Sequence, residues 1–217
     1  MNPSINPSLR RALVVIDVQE EYVTGGLLIE YPPIQESLAN IGRAMDAARA
    51  AAIPIVVVQH TAPPSAPVFV KGTPAWELHE VVSSRPRDHY VEKAFPSAFA
   101  GTDLAAWLKA RGVDTITVVG YMTQNCDDST LKQAESAGLK AEFLQDASGA
   151  VPYENRAGFA SAEEIHRVYS VVLQSRFASV MSTEAWIEAV SHNTPAPAVE
   201  TIFDSNQRAR RRQGVPA

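Results

Sequence analysis

The 217-residue sequence contains a single cysteine, Cys126. That excludes an intramolecular disulfide, and with it the stapled scaffolds of small secreted domains. No stretch approaches the ~20 consecutive apolar residues of a membrane-spanning helix. Residues 1–10 are polar and include Pro3 and Pro7, without the apolar core of a secretory leader. A cytoplasmic protein is the expectation, with no membrane partner. Excess positive charge is missing as well: the net charge is −5, which argues against a body built to hold nucleic acid. Basic charge gathers only from Asp204 onward, where Arg208, Arg210, Arg211 and Arg212 give +3 against −8 for the rest. A solvated terminus is the expectation there. The five histidines, His60, His79, His89, His166 and His192, form no ligand spacing, and metal sites need several convergent donors. No metal and no cofactor are expected.

What is present is a rhythm of apolar runs. Ala12–Val18 and Ile53–Val58 are β-branched and continuously apolar, which suits strands buried on both faces. Between them Leu38, Ile41, Met45 and Ala48 recur at helical spacing. A proline-rich loop covers Thr61 to Pro86, with one helical turn expected around Trp76 to Val82. Asp88–Glu92 reads as a short strand, Thr102–Arg111 as a helix ended by Gly112, and Thr115–Gly120 as a strong strand. Asn125–Ala137 then reads as a helix, followed by a strand over Lys140–Leu144. Ser161 with Glu164 forms a capping-box pattern for a helix reaching about Ser175. Ala178–Met181 is a last short strand, and Ser182 caps a final helix holding Trp186. This alternation implies an α/β fold: three α/β/α layers around a mostly parallel, Rossmann-like sheet of about six strands. Residues 1–10 are an N-terminal extension, 11–192 the domain, and 193–217 a polar, basic tail marked off by Pro195 and Pro197.

Open parallel sheets place their sites beyond the carboxyl ends of the strands. An acid, Asp17, follows the first strand; Gln59 and His60 close the second; Lys93 follows the third; Cys126 follows the fourth. Taken singly, the acid is a turn former, the lysine a surface residue and the cysteine a small buried hydrophobe. Their joint occurrence at strand ends points to nucleophilic catalysis. A thiol at a helix N-terminus beside a lysine is expected to have a lowered pKa, with a carboxylate to take its proton.

These residues carry a resemblance. ALVVIDVQEEY, KGTPAWELHEVV, VEKAFPSAFAGTDLAAWLKARGVDTITVVGYMTQNCDDST and AEEIHRVYSVVLQSRFASVMSTE, in that order, resemble the isochorismatase-like cysteine hydrolases over roughly Arg11 to Val190. The resemblance implies Asp17 as general base, Lys93 as catalytic lysine and Cys126 as nucleophile. It further implies a cis peptide at Tyr121–Met122, with the amides of Met122 and Cys126 as oxyanion donors, and a homo-oligomer to which Trp186 and Phe203 contribute. One departure is visible: Asp127 and Asp128 follow the cysteine where a small apolar residue is common. Asp127 is expected to point away from the pocket. The second strand lacks the Asp-x-His of the zinc-binding nicotinamidases, which disfavours that substrate.

The resulting expectation is a hydrolase that cleaves a C–N bond of a small amide, ureide or carbamoyl compound through a thioester. Tyr22, His60, Trp76, Tyr121 and Phe159 are the substrate-contact candidates. Two alternatives stand beside it: an isochorismatase-type ether hydrolase, which needs no thiol nucleophile, and a non-catalytic redox-sensing or binding module.

Overall fold

All six residues of the first strand are buried, the apolar five as a strand covered on both faces requires and Arg11 through its ion pair with Glu142 at 2.9 Å. The computed structural model describes residues 9–192 and 194–214. In chain order it contains β1 (Arg11–Ile16), α1 (Ile34–Ala50), β2 (Ile55–His60), α2 (Glu80–Ser83), β3 (His89–Lys93), α3 (Leu104–Ala110), β4 (Thr115–Tyr121), α4 (Asp128–Ser136) and β5 (Lys140–Gly149). A hairpin, β6 (Tyr153–Asn155) and β7 (Gly158–Ala160), precedes α5 (Ala162–Gln174), β8 (Ser179–Met181), α6 (Thr183–Ser191) and α7 (Ile202–Arg212). Six strands form one sheet in the order β3-β2-β1-β4-β5-β8, and every neighbouring pair is parallel. The three-layer α/β/α expectation holds.

The pleat of β1 sorts its side chains between two cores. Leu13 and Val15 pack with Leu38, Ile41, Met45 and Ala48 of α1 and with Trp186 of α6. Ala12, Val14 and Ile16 pack on the other face with Leu104 and Leu108 of α3, Leu131 of α4 and Leu173 of α5. Each fully buried leucine or isoleucine contributes roughly 1.5–3 kcal/mol. The chain builds β1, β2 and β3 in one direction and then places β4 on the other side of β1. The β1/β4 boundary is therefore the topological switch point, where such sheets open a crevice. Gly120 makes the junction close. Its φ is +118°, and a Cβ there would stand 2.0 Å from the Ile16 carbonyl oxygen.

Several elements differ from the sequence reading. The helix expected from Asn125 begins at Asp128, because Thr123–Asp127 form a π-helical turn. The strand expected to stop at Leu144 runs on to Gly149; after a register irregularity Ser148 pairs with Gly120. The loop turn resolves into a 3-10 turn at Pro74–Trp76 and the short α2. The capping box on α5 is present, Ser161 and Glu164 each satisfying the other's backbone N–H. The α6 helix is not the last. The basic terminus folds as α7, with Thr201 Oγ1 accepting from the Asp204 amide at 3.0 Å. Residues 1–8 of the expected extension lie outside the described residues. Trp186, expected at a subunit contact, is fully buried. Its indole N–H lies 3.0 Å from Glu142 Oε2 and 3.1 Å from Thr117 Oγ1, so an intramolecular acceptor set holds it inside.

Candidate active site

Three strand ends supply the site. Asp17 follows β1 directly, in the left-handed region at φ +51°, which short polar side chains tolerate better than bulky ones. Its amide donates to the Val58 carbonyl at 2.9 Å, fixing the turn to β2. Lys93 ends β3 in register with His60 of β2. Cys126 lies in the π-helical turn that leaves β4. The Lys93 ammonium sits 2.7 Å from Asp17 Oδ2, 3.2 Å from Cys126 Sγ and 3.2 Å from His60 Nδ1. Both side chains of the ion pair are fully buried, and Cys126 is 4% exposed. Asp17 Oδ1 has no hydrogen-bond partner among the described residues. The lysine thus joins the acid and the thiol, with an acceptor oxygen of the acid unused.

The electrostatics reverse one expectation. The Cys126 thiol is held well above its ordinary value, by burial first and by the charge of Asp17 second, against the opposing pull of Lys93. The resting residue is a neutral thiol beside an Asp17–Lys93 pair, not a standing thiolate. The sequence reading counted the helix end and the lysine but not the loss of water. Burial pulls the Lys93 ammonium down, but the charge of Asp17 and the hydrogen bonds to Asp17 and Cys126 outweigh it and leave the pKa raised. His60 is lowered by burial and then by Lys93, so it faces the ammonium as a neutral ring.

The Tyr121–Met122 peptide is cis, as the resemblance implied, and the Met122 carbonyl accepts from the amides of Asn125 (3.0 Å) and Asp127 (3.3 Å). Asp127 does not point away. It is fully buried, because the turn carrying it is covered by the extension of β5 on one side and by α5 on another. Burial and then the charge of Asp17 raise its pKa well above the carboxylate range, against a smaller pull from Ser148.

The substrate-contact candidates divide. Tyr22 is buried between Phe69 (5.2 Å between centroids) and Tyr121 (5.4 Å). Burial, followed by the charges of Cys126 and Asp17, raises its pKa well above the usual phenol value, so it lines the cluster from the core side. Tyr121 is not at a mouth: it is fully buried and its hydroxyl meets Ser37 Oγ at 2.7 Å. Residues of β4 alternate between faces, and this one falls on the α1 side. Phe159 stands 68% exposed on the β6–β7 hairpin. The hairpin brings Tyr153 instead, whose hydroxyl reaches Met122 Sδ at 3.8 Å and whose pKa is raised, by burial first. Trp76 is half-buried; its indole donates to Thr61 Oγ1 at 3.0 Å. Its carbonyl accepts from the side-chain amides of Gln19 (2.7 Å) and Gln59 (2.8 Å). Gln19 also accepts from the His60 amide at 2.9 Å, tying the Trp76 loop to the strand ends.

Tyr153 and Gln124 were missed by sequence reasoning. Gln124 Nε2 donates to the Val151 carbonyl at 3.2 Å, next to the hairpin. The one usable signal was a turn-like Asn-Arg-Ala-Gly segment flanked by Tyr153 and Phe159. His166, on the apolar face of α5, is a core histidine. Its Nδ1 is 2.9 Å from Thr123 Oγ1, and burial lowers its pKa to about 4.

That last shift has a consequence for stability. A folded-state pKa below the unfolded value of about 6.5 contributes stability present above that value and lost as pH falls towards 4. Wild type is therefore expected to lose on the order of 2–3 kcal/mol more than His166→Gln between those pH values. Urea midpoints measured at both ends of the window check this.

Among the described residues no three His, Cys, Asp or Glu side chains are grouped to hold a metal ion, and no helix is long and apolar enough to cross a membrane. The Isochorismatase domain profile matches residues 11–185. A crystal structure from Burkholderia xenovorans LB400, of a protein named after isochorismatase, superposes with a TM-score of 0.94 at 65% identity, over 96% of this chain and 100% of that one. A cysteine hydrolase from Pseudomonas syringae pv. phaseolicola 1448A superposes with a TM-score of 0.78 at 27% identity, over 86% and 94%. In sequence, a ureidoacrylate amidohydrolase of Methylobacterium radiotolerans is 27% identical over 86% of this chain and 81% of its own. The chain belongs to the isochorismatase family of hydrolases.

Proposed function

We propose that this hydrolase cleaves a C–N bond of a small amide, ureide or carbamoyl compound through a thioester on Cys126. The observation carrying the reading is the buried Lys93 ammonium, within 2.7 Å of Asp17 Oδ2 and 3.2 Å of Cys126 Sγ. As the substrate carbonyl seats, Asp17 takes the Cys126 proton and sulfur bonds to the carbonyl carbon. The amides of Met122 and Cys126 receive the developing oxyanion, a contribution of ~10²–10³-fold in rate per donor. Asp17 returns the proton to the departing nitrogen as the C–N bond breaks. It then takes a proton from water, which attacks the thioester; the C–S bond breaks and sulfur regains a proton. Lys93 steadies Asp17 while it is charged. Similarity to an amidohydrolase and to a cysteine hydrolase supports this chemistry over ether cleavage. His60, Trp76, Tyr22 and Tyr153 are the residues proposed to meet the substrate.

The test is a panel of primary amides, ureido acids and carbamoyl amines, scored by ammonia or amine release. Release from at least one class, absent in Cys126→Ala, supports the reading; turnover retained in Cys126→Ala refutes it.

A cytoplasmic location and a homo-oligomer belong to the same proposal. Val168, Val171 and Val172 of α5 are exposed, as are Ile202 and Phe203 of α7. The two helices are linked where the Glu200 amide donates to the Gln174 carbonyl at 3.0 Å. A charge placed in this apolar face, as Val171→Glu with Phe203→Glu, is expected to lower the molar mass in light scattering to that of a single chain. An unchanged multimer would place the interface elsewhere.

A further inference from the structure

The turn after β4 carries a carboxyl group that makes no ion pair among the described residues, Lys93 acting on it only at a distance. Asp127 is fully buried, and among the described residues its oxygens make no hydrogen bond of ordinary geometry, the Ser148 hydroxyl pulling on them. Ser148, whose hydroxyl favours the ionised form of the acid, is the polar group beside it, brought there by the pairing of β5 with Gly120. The same register sets Gly120 against Ile16, one residue before Asp17. Burial first, and then Asp17, Ser148, Lys93 and Asp128, act on Asp127, and Tyr22 and Tyr121 are the other titratable groups around it. The cation nearest to hand, Lys93, is surrounded by Asp17, Cys126 and His60. An ionised carboxylate without a cation in such a place costs several kcal/mol, and a second negative charge beside Asp17 adds repulsion.

We propose that Asp127 is a positioning residue for the Cys126–Asp17 proton transfer, a buried carboxylic acid that keeps its own proton and leaves Asp17 as the sole carboxylate of the site. The inference rests on the reading of Asp17 as the base. In the attack step the S–H bond breaks and its proton passes to Asp17, while the O–H bond of Asp127 stays intact. With Asp17, Lys93 and the thiol, the cluster is then neutral both before and after the transfer. Ionisation of Asp127 at higher pH adds one uncompensated charge, which opposes loss of the thiol proton.

Two measurements test this without a substrate. The infrared difference spectrum between wild type and Asp127→Asn at neutral pH is expected to contain the carbonyl stretch of a protonated carboxylic acid. Iodoacetamide alkylation of Cys126, followed by intact mass, is expected to coincide for the two proteins at acid pH. At alkaline pH the variant is expected to react about tenfold faster, equivalent to a thiol titrating one pH unit lower. Ser148→Ala retains the acid but removes the hydroxyl that favours its ionised form, and is expected to keep the infrared band and shift the alkaline alkylation profile towards that of Asp127→Asn. It serves if Asp127→Asn does not fold. Absence of the band, superimposed profiles of wild type and Asp127→Asn, or slower alkaline alkylation in Ser148→Ala than in wild type would overturn the proposal. Hydrolysis surviving in Cys126→Ala would instead defeat the reading of the reaction while leaving the band in place.

Discussion

Cys126→Ala is expected to lower turnover by on the order of 10⁴–10⁶-fold, the scale seen when a covalent nucleophile is removed from a cooperating set, with little change in fold. The sulfur contacts Lys93 at 3.2 Å, and its loss leaves the 2.7 Å Asp17–Lys93 pair in place. Stability should therefore move far less than activity. A thiol replaced by a methyl-sized group in a tight core creates a small cavity, whose cost is modest beside the loss of a covalent pathway. Ammonia release and a urea melt on the same preparation separate the two effects. Asp17→Asn, which keeps the shape but removes the base, is expected to lose ~10²–10⁴-fold.

The second large effect concerns stability. Lys93→Met should destabilise the fold by about 3–5 kcal/mol, because it strands the charge of Asp17 in a fully buried place. The double variant Asp17→Asn/Lys93→Met is expected to recover most of that loss, since a neutral pair of similar volume has no uncompensated charge. Neither variant should turn over substrate. Guanidinium midpoints of the two singles and the double form a mutant cycle that isolates the pairwise coupling. A Lys93→Met protein as stable as wild type would mean that water or a rearranged side chain satisfies Asp17.

The β1 and β4 strands were legible because ALVVI is an unbroken apolar run and TITVV an unbroken β-branched one, as a doubly covered strand accommodates. Their ends then located Asp17, Lys93 and Cys126, since parallel strands share one chemical edge. What escaped the reading depended on tertiary covering. Tyr121 has a strand-end position but the wrong parity, so its ring turns into the α1 core. Asp127 follows the cysteine in a segment that reads as an amphipathic helix start, yet the π-helical turn there buries Thr123, Cys126 and Asp127. The thiol's raised pKa has the same origin, because neither burial nor the Asp17 charge can be weighed from spacing. Tyr153 sits on three-residue strands, too short to show a period, and α7 has its large apolar residues, Ile202 and Phe203, only at its start, so no helical period announced it.

The central claim is a covalent acyl group on Cys126, and rapid-quench intact mass tests it most directly. Wild type mixed with a turned-over amide or ureide is expected to gain the mass of the acyl fragment within the first turnover, with the adduct mapping to Cys126 and disappearing as product forms. Full turnover with no adduct at any quench time, together with activity retained in Cys126→Ala, would contradict the account and assign the reaction to direct attack by water.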